Sequence, residues 1–382
     1  MGDRMLRENR YIYTGRDQVD IEYGRLNFHV LESMGDWVRI IDKEGYVVYT
    51  NKSMKEALGR DIIGKKCHEA IGKEEACNSC INEKSIATGQ IMQKEETIDG
   101  QMYSVKSSPV KNYNDEIIAT VEVFRNITRE RKLELELIKK NKKMNDDLEF
   151  SKRLQERILP KEERIGNLEL DYIYKPSETL SGDMFDIYRI DEENIGIYIS
   201  DVVGNGVSAS LMTMFVRQTM RFIKEDPEKP SDILGELHKR FLSLGLEAEY
   251  YFTIFFGVFN IETKKFKYVN AGHNCMPVRY NLKEGKIDTI ENKGYPISSL
   301  LKEISFEEKS IQIEKNDKLL FYTDGVTEAR DYSGREFGLD RLIEVIKRDT
   351  ENVLKAIEKT VSKYTFGEIA DDFALLLLEV VE

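Results

Sequence analysis

The sequence predicts an α+β protein in three parts: a small N-terminal α/β domain, a long helical (coiled-coil) linker, and a C-terminal two-layer sandwich. Three observations carry this. β-rich runs separated by tight-turn residues crowd into residues 27–128. Residues 127–159 contain no Gly or Pro and are strongly helical in composition. Beyond residue 160, neighbouring strand-like runs are interrupted by pairs of helical stretches, the pattern of α+β packing rather than of a βαβ repeat. A chain of 382 residues also exceeds one ordinary core, at roughly 150 residues per domain.

Residues 1–26 are polar and weakly patterned, an N-terminal extension in which Tyr11, Ile12, Tyr13, Val19 and Ile21 form a short capping element. In residues 27–128 the runs 38–42 and 46–51 pair through the turn Asp42-Lys43-Glu44-Gly45, with Gly where a hairpin turn wants it. Runs 91–98 and 101–109 flank the turn pair Asp99-Gly100, and run 117–126 follows Asn114-Asp115. The Gly-punctuated stretch 53–88 is helical. Residues 129–160 form the linker, and a helix over 127–159 is about 50 Å long at ~1.5 Å per residue. Leu137, Asn141, Met144, Leu148, Ser151, Gln155 and Ile158 alternate four-and-three spacings, a coiled-coil seam with three polar positions, and Pro160 ends it. So long a helix has little core of its own, which favours pairing with a second copy over a solvated linker with incidental spacing. In residues 161–382, strands are expected at 168–174, 184–190, 195–202, 252–260, 266–270, 277–281, 318–322 and 373–381. Helices are expected at 208–224, 231–244, 340–349 and 351–364.

Composition narrows the function. With 69 acidic and 57 basic residues the net charge is -12, which argues against a general nucleic-acid binder. A chain that is 41% hydrophobic and 33% charged with 7 prolines is neither a membrane bundle nor a Pro-rich disordered chain. No apolar run reaches membrane-spanning length and the N-terminus lacks a signal-peptide core, so no membrane association and a cytoplasmic location are expected. Four cysteines are too few for a disulfide scaffold.

The chemistry concentrates in aspartates at strand ends. Asp183 and Asp186 enter a strand; Asp201 ends the apolar run 195–200 and precedes Val202-Val203-Gly204-Asn205-Gly206. Asp324 ends run 319–323 and precedes Gly325, and Asp371 and Asp372 sit directly before Phe373. Ordinary turn chemistry explains one such aspartate, but four in one domain point to converging carboxylates, which need a cation. An all-oxygen donor set suits Mg²⁺ or Mn²⁺, and a two-ion site supports in-line phosphoryl transfer without a protein nucleophile.

These residues sit in motifs that resemble a known family. In order they are Leu154-Gln155-x-x-Ile158-Leu159-Pro160, Ser181-Gly182-Asp183-x-Phe185-Asp186 and Asp201-Val202-x-Gly204-x-Gly206. Asn270-Ala271-Gly272-His273-Asn274-x-x-Pro277, Tyr322-Thr323-Asp324-Gly325-Val326-Thr327-Glu328-Ala329 and Asp371-Asp372-x-x-Leu375-Leu376 follow. Together they resemble the metal-dependent (PPM) protein phosphatases, in particular the bacterial SpoIIE-type and RsbU-type serine phosphatases. The resemblance implies an α-β-β-α sandwich and hydrolysis of phosphoserine or phosphothreonine on a partner protein, often an anti-anti-sigma (STAS-domain) protein. It implies two Mn²⁺ or Mg²⁺ ions held by Asp183, Asp201, Asp324 and Asp371 with the Val202 carbonyl, supported by Asp186, Gly325 and Asp372. Ser181 stands where the family usually has Gly, and Asn205 where His is common. His273 is read as a scaffold residue.

Residues 27–128 resemble a PAS sensor domain, through Ile40-Ile41-Asp42-x-x-Gly45-x-Val47-x-Tyr49-x-Asn51 and the exit Asn126-Ile127-Thr128-Arg129-Glu130-Arg131-Lys132, with Thr128 as the expected N-cap. PAS domains usually dimerise and bind a small ligand or cofactor, so a homodimer through this domain and the linker is expected. Cys67-His68 and Cys77-x-x-Cys80 fit zinc, an iron–sulfur cluster, a redox disulfide, or simply partly buried thiols. The expected protein is thus a signal-regulated phosphatase whose linker helix packs on the catalytic domain and orders its metal site. The alternatives are a catalytically silent scaffold, or a redox or metal sensor that uses the C-terminal domain as a binding surface.

Overall fold

The computed structural model describes residues 26–161, 163–224, 226–281, 284–349, 352–365 and 371–381. The expected N-terminal capping element, Tyr11 to Ile21, lies outside the described residues. The chain divides into two compact units, Met1–Lys142 and Lys143–Glu382.

The first unit is a five-stranded antiparallel sheet in the spatial order Val47–Thr50, Trp37–Asp42, Ile117–Asn126, Gln101–Lys111, Met92–Ile98. Its turns follow local chemistry. The Asp42 carboxylate accepts from the Tyr46 amide at 2.8 Å and Gly45 takes φ 85°. Asp99 and Gly100 have φ 49° and 76°, the left-handed pair that a two-residue hairpin requires. Three helices, Lys52–Leu58, Cys67–Ala70 and Ile81–Thr88, lie between the second and third strands in sequence. Met54, Ile62 and Ile81 pack with Val47, Tyr103, Val105 and Phe124 of the sheet. Asn51 locks this corner: its Oδ1 accepts from the Met54 and Val38 amides, and its Nδ2 donates to the Leu31, Met34 and Asp36 carbonyls.

The linker is a helix over Thr128–Ile158, and the boundary between the units falls inside it. Thr128 does not cap this helix as expected. Its hydroxyl instead accepts from the Met102 amide at 2.8 Å, tying the helix start to a strand. Arg131 pairs with Glu95 and Glu134. Leu137 and Met144 of the expected seam are 63% and 57% exposed, whereas Gln155 of the same seam is only 1% exposed.

The second unit stacks two six-stranded sheets. One runs Glu308–Gln312, Lys265–Ala271, Tyr251–Asn260, Asn194–Val202, Asp183–Arg189, with Ile297–Ser298 beside Tyr251–Asn260. The other runs Lys286–Thr289, Val278–Asn281, Lys318–Tyr322, Phe373–Val380, Leu168–Lys175, Arg164–Ile165. Edge-to-face aromatic pairs stitch the sheets together: Tyr172 on Phe185 with centroids 5.2 Å apart, and Phe255 on Phe321 at 6.1 Å. Helices Gly206–Phe222 and Pro230–Ser243 cover the first sheet through Val216, Met220, Leu234, Leu237 and Phe241. Helices Gly338–Arg348 and Val353–Tyr364 cover the second through Leu342, Ile346, Ile357 and Val361. The layer order is α-β-β-α.

Candidate functional site

The two sheets bring the strand-end aspartates to one cleft. Asp183 and Asp201 are direct cross-strand partners on the antiparallel strands Asp183–Arg189 and Asn194–Val202. Asp324 opens the short helix Asp324–Thr327 immediately after the strand Lys318–Tyr322, and Asp371 precedes the strand Phe373–Val380. Asp201, Val202, Asp324 and Asp371 line a cleft of about 670 Å³ together with Ser177, Gly204, Asn205 and Thr253. No Lys, Arg or His is among its described lining residues. Asp183 lies at 2% exposure, and its Oδ2 has no hydrogen-bond partner.

The electrostatics record a shortage of positive charge. Burial, followed by the nearby charges of Asp201 and Asp372, holds the Asp183 carboxyl well above the ordinary carboxylate range. Burial, then Asp324 and Asp371, pushes Asp201 up to about 7. Burial, then Asp371 and Glu328, pushes Asp324 up to about 6. Divalent cations fit this donor set: an orphaned buried carboxylate oxygen, three further carboxylates on one cleft, and no competing cation among the described lining residues. Among the described residues no three His, Cys, Asp or Glu side chains close on one ion by themselves. Ions held here would therefore draw on one or two carboxylates each, with water and the Val202 carbonyl, the usual habit of Mg²⁺.

Asp372 does different work from its neighbour. It is buried, and its Oδ1 accepts from the Ser177 amide at 2.7 Å and the Ser177 hydroxyl at 2.9 Å. Its Oδ2 accepts from the Ser181 hydroxyl and the Gly182 amide, both at 2.7 Å. With four donors on its two oxygens it fixes the loop that delivers Asp183. Ser181 adds a contact no glycine supplies, since its hydroxyl also accepts from the Asp183 amide at 3.0 Å. Two glycines are required by crowding. A Cβ on Gly325 would stand 2.1 Å from the Asp372 carbonyl oxygen, and one on Gly182 would stand 2.9 Å from the Val202 carbonyl oxygen. Asp186 points elsewhere: Arg221 grips its two oxygens at 2.6 and 2.9 Å, and Arg217 adds a contact at 3.4 Å.

His273 is buried between Thr253 Oγ1, 3.2 Å from Nδ1, and the Tyr322 carbonyl, 3.3 Å from Nε2. Burial lowers its pKa to about 4, so the ring stays neutral and braces the two sheets. Asn205 reaches Glu178 at 3.2 Å. Sequence reasoning passed over Ser177, Glu178 and Thr253, which belong to no motif it used. Gln155 stands both in the expected linker seam and in the first family motif, and the structure bears out the second: its Nε2 donates to the Ser181 carbonyl at 2.8 Å and its Oε1 accepts from the Ser181 amide at 3.0 Å.

In the first unit Cys67, His68, Cys77 and Cys80 line one small cavity of about 20 Å³, together with Arg39, Lys94, Glu96 and Glu122. That is room for about one water. Zinc and iron–sulfur clusters need convergent ligands, and no such group forms among the described residues.

The family model for Stage II sporulation protein E (SpoIIE) matches residues 191–381, half of the chain, and a PAS domain model matches residues 35–129. Phosphoserine phosphatase RsbU of Bacillus subtilis (strain 168) is 27% identical over 242 residues, 62% of this chain and 70% of that protein. Phosphoserine phosphatase RsbP of the same organism is 30% identical over 183 residues, 47% of this chain and 45% of that protein, so the chain spans less than half of that relative's length. The SiaA-PP2C domain of Pseudomonas aeruginosa has the same fold over 63% of this chain and 98% of that chain, with a TM-score of 0.53 at 18% identity. The chain belongs to the SpoIIE family and carries a PAS domain ahead of the region that defines the family.

Proposed function

We infer that the C-terminal unit is a metal-dependent serine/threonine protein phosphatase acting on a phosphorylated partner protein, under control of the PAS domain. The observation that carries the reading is a cleft with three carboxylates on its wall, a fourth buried beside Asp201, and no cation among its described lining residues. Such a cleft repels a phosphate dianion until cations are present. Bound there, divalent Mg²⁺ or Mn²⁺ would offset the carboxylate charge and activate water for in-line attack on phosphorus. The chain's own part is positioning. Asp183 and Asp201 are fixed side by side by strand pairing, and Asp372 and Ser181 hold the loop that carries Asp183. The absence of a nucleophilic Ser or Cys motif agrees with direct attack by water.

Two relatives named phosphoserine phosphatases support the substrate class. A STAS-domain anti-anti-sigma protein is the proposed partner. The active form is proposed to be a homodimer joined through the PAS domain and the exposed apolar positions Leu137 and Met144. Replacing both with Glu should shift the protein to monomer in sedimentation velocity, and an unchanged dimer would remove the helix from the interface. The catalytic reading is tested by hydrolysis of a phosphoserine protein with Mn²⁺, with Mg²⁺ and with chelator, beside Asp201→Asn. Turnover should require the cation and fall at least about 100-fold in the variant. Turnover insensitive to chelator would refute it.

A further inference from the structure

We propose that Cys67 and Cys80 form a reversible redox dithiol in the PAS domain, oxidised to a disulfide by a hydroperoxide with Cys80 as the attacking sulfur. The geometry separates the three clustered cysteines. Cys67 and Cys80 line one cavity of only about 20 Å³, which keeps the two thiols near each other. Cys77 turns instead to two ammonium groups, Lys94 Nζ at 3.5 Å and Lys73 Nζ at 3.9 Å, which also pair with Glu96. Cys80 is the N-cap of the helix Ile81–Thr88, where unpaired amides favour an anion. Cys67 is held in place from behind. Its carbonyl accepts from Arg39 Nη1 at 2.7 Å, and Arg39 is fixed by a buried ion pair with Glu122 at 2.7 Å. Both thiols are partly exposed, so a small oxidant reaches them.

The two sites are unequal. The neighbouring Cys67 thiol, and then the backbone amides of Glu83 and Asn82 at the helix start, hold Cys80 below its ordinary value, while Cys80 and burial push Cys67 up, so Cys67 keeps its proton. The Cys80 thiolate attacks the outer peroxide oxygen. The S–O bond forms, the O–O bond breaks, and the departing hydroxide or alkoxide takes a proton to leave as water or alcohol. Cys67 sulfur then attacks the Cys80 sulfenic acid. The S–S bond forms, the S–O bond breaks, and the Cys67 proton leaves with the hydroxide as water. Two thiols lose two electrons and one peroxide gains them. The inference stands whether or not the C-terminal unit is a phosphatase.

The test uses the full-length reduced protein treated with a small excess of hydrogen peroxide, alkylated, digested with trypsin without reductant and mapped by mass spectrometry. Cys67 falls on a different tryptic peptide from Cys77 and Cys80, so the pairing is read directly from peptide and fragment masses. The expected product is one Cys67–Cys80 bond per chain, reversed by dithiothreitol and formed equally in Cys77→Ser. Cys67→Ser should instead leave a dimedone-reactive sulfenic acid at Cys80. A Cys77–Cys80 bond, unreacted thiols, or zinc or iron at about one per chain that shields the thiols until chelated would each overturn the proposal.

Discussion

At the scale of single residues, the site separates aspartates that face the cleft from those that build it. Asp371 and Asp372 are adjacent in sequence, yet Asp371 lines the cleft while Asp372 is buried under four hydrogen bonds. Both residues precede the strand Phe373–Val380, and the turn there separates them: the Asp371 carboxylate accepts from the Asp372 amide at 2.8 Å, while the Asp372 side chain turns inward to the Ser177 and Ser181 hydroxyls. Asp372→Asn keeps the size but turns two acceptor positions into donors facing donors. Losing two charge-assisted bonds and leaving buried donors unpaired should cost about 2–4 kcal/mol in urea unfolding. Metal affinity should fall with it, since Gly182 and Ser181 would no longer hold Asp183. A variant that retains both would mean the loop is fixed by other contacts. Position at a strand end does not separate Asp183 from Asp186; only the family resemblance ranked one as ligand and the other as support. Only the structure sends Asp186 to Arg221 and leaves Asp183 Oδ2 unpartnered.

At the scale of elements, Gln155 joins the linker helix to the loop of Asp183 by two bonds to the Ser181 backbone, and Thr213 adds a third contact at 3.4 Å. Gln155→Ala leaves the Ser181 amide and carbonyl unpaired in a buried place, a cost of about 1–3 kcal/mol. It should lower metal-dependent turnover more than Lys143→Ala, an exposed change on the same helix expected within about 0.5 kcal/mol of neutral. Equal turnover in the two variants, compared at saturating Mn²⁺, would deny the helix any hold on the site. Element-level structure was readable in sequence where burial is strong. Runs such as 195–202 and 373–381 are apolar because their strands are covered on both faces, and they appear almost as expected. The strands Glu308–Gln312 and Lys286–Thr289 and the single-turn helix Asp324–Thr327 were not foreseen. The two strands are short and alternately exposed at sheet margins, and a four-residue helix has no periodicity to read. Gln155 had two readings in sequence, seam and family motif, for a related reason. Heptad spacing identifies a helix face but cannot say whether a second copy or the chain's own domain covers it.

At the scale of the whole molecule, a chain of net charge -12 gathers four carboxylates at one place, and their mutual repulsion ties stability to pH and cations. Asp201 and Asp324 have folded pKa values near 7 and 6, above the ~3.9 of an unfolded aspartate. The folded state therefore holds these protons more tightly than the unfolded state. The stability they contribute is present below about pH 4 and is lost as pH rises through about 6 to 7. A divalent cation reverses the trend, because it binds the ionised carboxylates and displaces those protons. Without metal, the thermal midpoint of the C-terminal unit should accordingly be higher at pH 5.5 than at pH 8. Mn²⁺ or Mg²⁺ at one fixed concentration, about 100-fold over its Kd at pH 8, should add about 2.7 kcal/mol there, roughly 5–10 °C for a domain of this size, and less at pH 5.5, where protons compete. General repulsion between surface carboxylates produces a pH trend of the same sign. The control is therefore Asp201→Asn with Asp324→Asn, which removes the two titrating groups and leaves the surface unchanged. In that variant the metal-free midpoint should vary less between the two pH values and the cation shift should collapse. A cation shift that is the same at both pH values, or that survives in the double variant, would place the bound ion somewhere other than this cleft.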